Sequence, residues 1–384
     1  MTDIFYQDDT GFLINADSLD GLKMLDDNSV DFCITSPPYW AIRDYGTAQW
    51  SGGDLSCDHV KNPAATNVFG NPKFNKGRPS REAIKTPGYY YDDICGKCGA
   101  IKEDYQLGQE PNVKDYITRL SDIFDGVSRV LKPDGTLWVV INDTWFSSTK
   151  GTGGKKSFQP GSKGSFFKSG KYESSVLPKS LVNVPHRLAI EMTDSHDWIH
   201  RSTVCWHKNN VMPSSVKDRF TRDFEYVLIF SKNKDYYFKQ LLEPYTAPMN
   251  RWGGDKLKAD GKSEWDGGTG QETYRERDMR PNKEGRNMRS VWDLQEDFDF
   301  GSEDNAIWNI NNRSVKGLGH YAVYPEELVR KAIEFGCPEG GVVLDPFMGS
   351  GTTGRVARSM GRKWVGVELN KDYCSNSVKR ILGG

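Results

Sequence analysis

The chain has 384 residues, a formal net charge of −1, 36% hydrophobic and 27% charged residues. That length supports one large core, or a core with an insertion. No apolar run of about 18 residues is present, which excludes a membrane-spanning helix. Seven cysteines, without a basic-then-apolar leader after Met1-Thr2-Asp3-Ile4, argue against a disulfide scaffold and for a reducing, cytoplasmic setting.

In chain order, Phe12–Asn15 and Val30–Ile34 read as short buried strands. Val113–Leu131 reads as a helix stopped by Lys132-Pro133-Asp134-Gly135, and Thr136–Ile141 as a buried strand. Val182–Thr193 is helical, followed by strands at Ile199–Trp206 and Phe224–Phe230. Pro325–Phe335 reads as a helix opened by Pro325, with Glu326 and Glu327 in its first turn. Val342–Leu344, Thr352–Met360, Trp364–Val367 and Lys371–Leu382 then read as strand, helix, strand and helix. This alternation predicts an α/β fold with a doubly wound, mostly parallel sheet.

Three stretches interrupt it: residues 50–110, rich in Gly, Pro and Asn; the basic low-complexity run 147–175; and the polar residues 245–315. Residues 150–290 carry 26 Lys and Arg against 17 Asp and Glu. That excess is either a face for a polyanion or ordinary variation on solvated surfaces.

Asp345-Pro346-Phe347-Met348-Gly349-Ser350-Gly351-Thr352 joins a strand to a helix. Such a turn lets backbone approach a ligand and offers the N–H groups of a helix start. Glu368 and Asn370 close the next strand, where an acid suits the hydroxyls of a ribose. The pattern points to a nucleoside cofactor; on spacing alone a nicotinamide cofactor or a tight structural turn stays open. Thr35-Ser36-Pro37-Pro38-Tyr39-Trp40 ends the strand Val30–Ile34 in a corner that cannot continue the ladder.

Together these motifs resemble those of the amino-methylating DNA methyltransferases that use S-adenosylmethionine. In that family a Ser/Asp/Asn-Pro-Pro-aromatic tetrad is the catalytic loop and an Asp-Pro-Phe-x-Gly-Ser-Gly-Thr turn the cofactor loop. The tetrad comes first here, as in the beta group, whose Rossmann-like core is circularly permuted. Further matches are Asn15-Ala16-Asp17-Ser18, with its acid at the cofactor's adenine; Cys205-Trp206-His207-Lys208; and His320-Tyr321-Ala322-Val323-Tyr324-Pro325, which closes over the methionine part.

The resemblance implies that Ser36, Pro37, Pro38 and Tyr39 are catalytic. It also implies that Asp17, His320, Pro325, Asp345, Pro346, Phe347, Gly349, Ser350, Gly351, Thr352, Glu368 and Asn370 line the cofactor site. A base amine inside a duplex is unreachable, so the base is flipped out. The Ser36 hydroxyl and Pro37 carbonyl then accept its hydrogens, and Tyr39 stacks on the ring. Cytosine C5 chemistry is excluded, because no proline here precedes a cysteine. Cys33, Cys205, Cys337 and Cys374 read as core residues.

Ser at the first tetrad position is the form usual in N4-cytosine enzymes, so N4-cytosine is expected, with N6-adenine as the alternative. An RNA or protein methyltransferase, or an inactive nucleic-acid-binding module, is the rival of a different class.

The implied organisation is a catalytic half (1–49), an insertion (50–110), continued core (111–244), a target-recognition region (245–315) and the cofactor-binding part (316–384). Double-stranded DNA is the implied partner, in a prokaryotic or phage setting, with a cognate restriction endonuclease as a system partner. Candidate DNA contacts are Lys208, Arg251, Arg275, Arg277, Arg280, Arg286 and Arg289, with Trp252, Trp265 and Tyr274 interleaved. The lysines of the basic run (Lys150, Lys155, Lys156, Lys163, Lys168) are candidate phosphate contacts.

Cys57-Asp58-His59 and Cys95-Gly96-Lys97-Cys98-Gly99 have the ligand types of a structural zinc site, with Cys57, His59, Cys95 and Cys98 as the ligands. Unliganded loop cysteines, or a redox pair of Cys95 and Cys98, are the alternatives.

Overall fold

The structure is a computed structural model, and it describes residues 3–41, 49–54, 56–59, 90–95, 97–104, 106–110, 112–146, 176–208, 211, 214–243, 286–293 and 324–383. The elements in the first part of the chain are β1 (Asp3–Asp8), β2 (Gly11–Asn15), α1 (Ser18–Lys23), β3 (Val30–Thr35), β4 (Gln49–Ser51), β5 (Tyr90–Ile94), β6 (Ile101–Asp104), α2 (Val113–Val130) and β7 (Leu131–Ile141). They continue with α3 (Val184–Ser195), β8 (Ile199–His207), β9 (Phe224–Ser231), β10 (Leu242–Glu243), β11 (Arg286–Asn287) and β12 (Val291–Asp293). The chain closes with α4 (Glu326–Gly336), β13 (Val342–Asp345), α5 (Thr352–Ser359), β14 (Lys363–Glu368) and α6 (Lys371–Ile381).

Nine strands form the main sheet, in the order β1-β2-β14-β13-β3-β7-β9-β8-β12. From β2 to β7 every pairing is parallel. The strand β9 runs antiparallel to both β7 and β8, and β1 antiparallel to β2.

Side-chain alternation explains the two helical layers. On β3, Phe32 and Ile34 point to one face and Cys33 to the other; on β7, Trp138 and Val140 oppose Leu137, Val139 and Ile141. The Phe32 face packs Leu328, Val329, Ile333, Val356 and Ile381 of α4–α6. The Cys33 face packs Tyr116, Leu120, Phe124, Val127, Leu188 and Met192 of α2 and α3. Both faces of the central strands are covered, so their sequences read as continuous apolar runs.

The chain winds outward in opposite directions from the β13/β3 pair, through β14 on one side and β7 on the other. That is a topological switch point, where ligands of doubly wound sheets bind beyond the carboxyl ends of the strands.

Three features differ from the sequence reading. The hairpin strand β1 is not legible in the sequence, because its alternation is weak and none of its residues is buried. Residues 291–293, assigned above to the target-recognition region, pair in parallel with Cys205–His207 as the far edge of the main sheet. Gln106–Glu110, assigned to the insertion, are all buried against the core. The short strands β4, β6 and β5 form a separate three-stranded sheet. The seven cysteines form no disulfide. Among the described residues no helix is long and apolar enough to cross a membrane.

Candidate active site

The carboxyl ends of β2, β14, β13, β3, β7 and β8 converge on one edge of the sheet, with the start of antiparallel β9 beside them. The two loops of interest leave adjacent strands. The Thr35 hydroxyl, last on β3, donates to Asp345 Oδ1, last on β13, at 2.6 Å. The same oxygen accepts from the Phe347 N–H at 3.0 Å. Asp345 Oδ2 accepts from Tyr324 at 2.9 Å and Thr353 at 2.5 Å. Burial raises the pKa of this carboxyl. Asp345 is therefore the hub that joins the two loops to each other and to the segment before α4.

The turn after β13 is shaped by Gly351, the N-cap of α5, at φ 79°. A Cβ there would stand 2.8 Å from that of Ser377. Glycine is thus required both by backbone region and by space. Arg380 reaches back to the hydroxyls of Ser350 and Thr352, each at 2.9 Å.

Glu368 stands at the end of the neighbouring strand. Its Oε2 accepts from the Gly349 N–H at 2.8 Å and its Oε1 from the Asn370 N–H at 2.8 Å. Burial pushes its carboxyl up to about 7. The Asn370 side chain caps α6 through the N–H groups of Asp372 and Tyr373. Asn15–Ser18 complete this side. Asn15 donates to the carbonyls of Glu368 and Leu369, and Ser18 to that of Pro346 at 2.7 Å. Asp17 caps α1 and faces Arg119 at 3.7 Å. Burial raises its carboxyl, and the Arg119 charge opposes that rise.

The loop Ser36–Trp40 is clamped from two sides. Tyr116 of α2 donates to the Pro38 carbonyl at 2.9 Å. Buried Trp40 donates to the Glu110 carbonyl at 3.0 Å, and the Ala41 N–H to the Gly108 carbonyl at 2.8 Å. Gly108 has φ 93°, and a Cβ on it would lie 2.9 Å from the Tyr39 carbonyl oxygen. Glu110 in turn holds Arg119, the residue that faces Asp17.

On the other side the Tyr39 hydroxyl donates to Glu225 Oε2 at 2.7 Å. Glu225 also accepts from Asn142 and forms a close ion pair with Lys208, whose ammonium lies 4.4 Å from the centre of the Trp206 ring. Lys208 is therefore an internal partner of Tyr39's acceptor.

Beside this cluster, Arg219 and Arg222 both lie over the Trp145 ring, at 3.7 and 4.7 Å. Arg222 also donates to the Asp143 carbonyl. Between the two arginines, Phe220 is 95% exposed. The signal that could have found this group is the pattern Lys217-Asp218-Arg219-Phe220-Thr221-Arg222, an apolar residue among cations just before a buried strand.

Of the other candidate contacts, Arg289 pairs with Glu243 at 3.0 Å, and Arg286 lies on β11. Arg251, Arg275, Arg277 and Arg280 lie outside the described residues, as do His320, the three interleaved aromatics and the lysines of the basic run. Pro325 is the N-cap of α4.

A doubly wound sheet carries a proline-corner loop and a glycine-rich loop tied together at its switch point, the place where such folds bind nucleoside ligands. The sequence matches the DNA methylase family over residues 30–379, and the chain belongs to that family. It is 30% identical to the type II methyltransferase M.SmaI of Serratia marcescens over 96% of this chain and 90% of that protein. To M.Cfr9I of Citrobacter freundii it is 28% identical, over 97% and 87%. Among solved structures, the PvuII cytosine-N4-specific DNA methyltransferase superposes with a TM-score of 0.52 at 17% identity, covering 98% of this chain and 88% of that one, and shares the fold. The chain is thus a DNA amino-methyltransferase of the N4/N6 type.

Proposed function

We propose that the enzyme methylates N4 of a cytosine flipped out of duplex DNA, with S-adenosylmethionine as donor. The observation that carries this reading is the Thr35–Asp345 hydrogen bond. It holds a corner that begins with Ser36 next to a loop fit for a nucleoside. The donor set suits the cofactor: a glycine turn at a helix start, and an acid at the end of the next strand. When bound, S-adenosylmethionine supplies an electrophilic methyl on a sulfonium.

The chain's own residues do the rest. An exocyclic amine is a weak nucleophile, because its lone pair is delocalised into the ring. The Ser36 hydroxyl and Pro37 carbonyl accept its two hydrogens, favour a pyramidal nitrogen and aim the lone pair at the methyl. Tyr116 and Glu110 keep the corner still, and Glu225 fixes the orientation of the Tyr39 ring against which the base stacks. The proton leaves the alkylated amine through the hydrogen-bonded acceptors to solvent. Attack is direct, and no covalent enzyme intermediate is needed.

Ser36 at the first position of the tetrad, the form usual in N4-cytosine enzymes, supports cytosine over adenine, and M.SmaI and M.Cfr9I, as type II enzymes, support a partner restriction endonuclease. Arg219, Phe220 and Arg222 support a DNA-facing rim beside Tyr39, with Asp17, Glu368 and Asn370 on the cofactor side.

The test is incubation with methyl-labelled S-adenosylmethionine and unmethylated duplex DNA, followed by nucleoside mass spectrometry. Labelled N4-methylcytosine supports the proposal. Labelled N6-methyladenine retains the family and overturns the choice of base.

A further inference from the structure

Away from the methyl-transfer site, four side chains converge from two distant parts of the chain. Cys57, His59, Cys95 and Cys98 place one ligand atom each, all within 4.8 Å of one another. Cys57 Sγ is 3.7 Å from Cys95 Sγ, and Cys98 Sγ is 3.4 Å from His59 Nδ1. A tetrahedral zinc with Zn–S of about 2.3 Å and Zn–N of about 2.0 Å has S···S edges of about 3.8 Å and S···N edges of about 3.5 Å. A disulfide would need about 2.05 Å between the sulfurs. The Cys57–Cys95 and Cys98–His59 distances match the edges of a coordination shell with three thiolates and one imidazole.

The surroundings are built to hold that shell. Cys95 opens a tight turn closed by Gly99 N–H to the Cys95 carbonyl at 3.0 Å, and by Cys95 N–H to the Ala100 carbonyl at 2.8 Å. His59 stacks on Trp50 at 5.0 Å with its plane tilted by 17°. Lys97 bridges to Asp58 at 2.6 Å, joining the two halves from outside. Gly53 leaves room for Cys98: a Cβ there would lie 2.8 Å from its sulfur.

We propose that these four residues bind one structural zinc ion, and that it fastens the three-stranded β4-β6-β5 module inserted between Ala41 and Gly108. Four protein ligands close the tetrahedron, so the ion has no open position for catalysis. Binding releases the thiol protons to solvent, and the coordination free energy becomes folding free energy of the module. Ala41 and Gly108, which flank the insertion, meet through a hydrogen bond beside Tyr39. The metal site itself stands whether or not the Tyr39 loop handles cytosine.

The experiment uses the full chain, produced with zinc and dialysed against metal-free buffer. Elemental analysis is expected to find one zinc per chain. Replacement by Co²⁺ is expected to give the visible absorption of a tetrahedral site with thiolate charge transfer. Cys98→Ser and His59→Ala should each retain less than half the metal, with the main-core circular dichroism preserved. Zinc below about one tenth of an equivalent in the wild-type chain would overturn the proposal. So would an octahedral cobalt spectrum, or full metal retention by the Cys57→Ser/Cys95→Ser double variant.

Discussion

The Thr35 hydroxyl lies 2.6 Å from a carboxylate oxygen of Asp345, across two adjacent parallel strands separated by 310 positions in the chain. This contact sets the distance between the proline corner and the glycine turn. Removing it by Thr35→Val leaves the buried Asp345 with one donor fewer. The expected cost is about 1–3 kcal/mol of stability, read by urea unfolding, together with weaker S-adenosylmethionine binding by calorimetry. A variant with wild-type cofactor affinity would show that the two loops are positioned independently.

Glu368 gives the pH dependence. Its carboxyl is raised to about 7 in the unliganded chain, while ribose hydroxyls are best accepted by the ionised form. Cofactor binding therefore expels the proton. Affinity should fall as pH drops below about 7, by up to tenfold per unit, and level off above it. Because the folded chain holds this proton more tightly than the unfolded one, the group's own contribution to unliganded stability declines as pH rises from 4.5 to 7. In Glu368→Gln the affinity profile should be flat over this range and the binding weaker throughout.

Ser36→Ala removes one of the two acceptors proposed for the amine. Turnover should fall by about 10²–10³, with cofactor affinity nearly unchanged, as measured by single-turnover methyl transfer. A fall in affinity with turnover intact would place Ser36 in binding rather than in chemistry.

Glu225 is buried between the Tyr39 hydroxyl and the Lys208 ammonium. Glu225→Gln leaves that ammonium without its counter-charge, which typically costs about 3–5 kcal/mol for a buried pair. Lys208→Met in the same chain should recover part of this stability. Turnover should recover with it, because an amide oxygen at position 225 still accepts from the Tyr39 hydroxyl.

Phe220 is exposed between two arginines at the same edge of the sheet. Arg219→Ala should lower duplex affinity and reduce the slope of log affinity against log salt by about one. Phe220→Ala should weaken binding without changing that slope, as read by fluorescence anisotropy at several salt concentrations.

The central elements were legible because their physics is local. Val30–Thr35 and Thr136–Ile141 are apolar on both faces, and the helix Val113–Val130 has clear start and stop residues. The Pro-Pro corner and the Asp345–Thr352 turn announce themselves through backbone constraint. The clamp of Tyr116, Gly108, Glu110 and Arg119 was not legible, because each is an ordinary residue whose role arises only when α2 packs behind the corner. Lys208 enters as a candidate DNA contact through the Cys205-Trp206-His207-Lys208 match, which says nothing of what its ammonium pairs with. Its partner Glu225 arrives from β9, beyond the reach of any local pattern. The edge position of Val291–Asp293 was likewise hidden, since three residues carry no periodicity.

The claim that one site is built from both loops can be tested most directly by ultraviolet cross-linking of methyl-labelled S-adenosylmethionine to the native enzyme, with peptide mapping of the label. The account predicts label in peptides containing Ser36–Trp40 or Pro346–Gly351, lost in Glu368→Gln. Label confined to peptides remote from both loops, and unchanged in that variant, would contradict it.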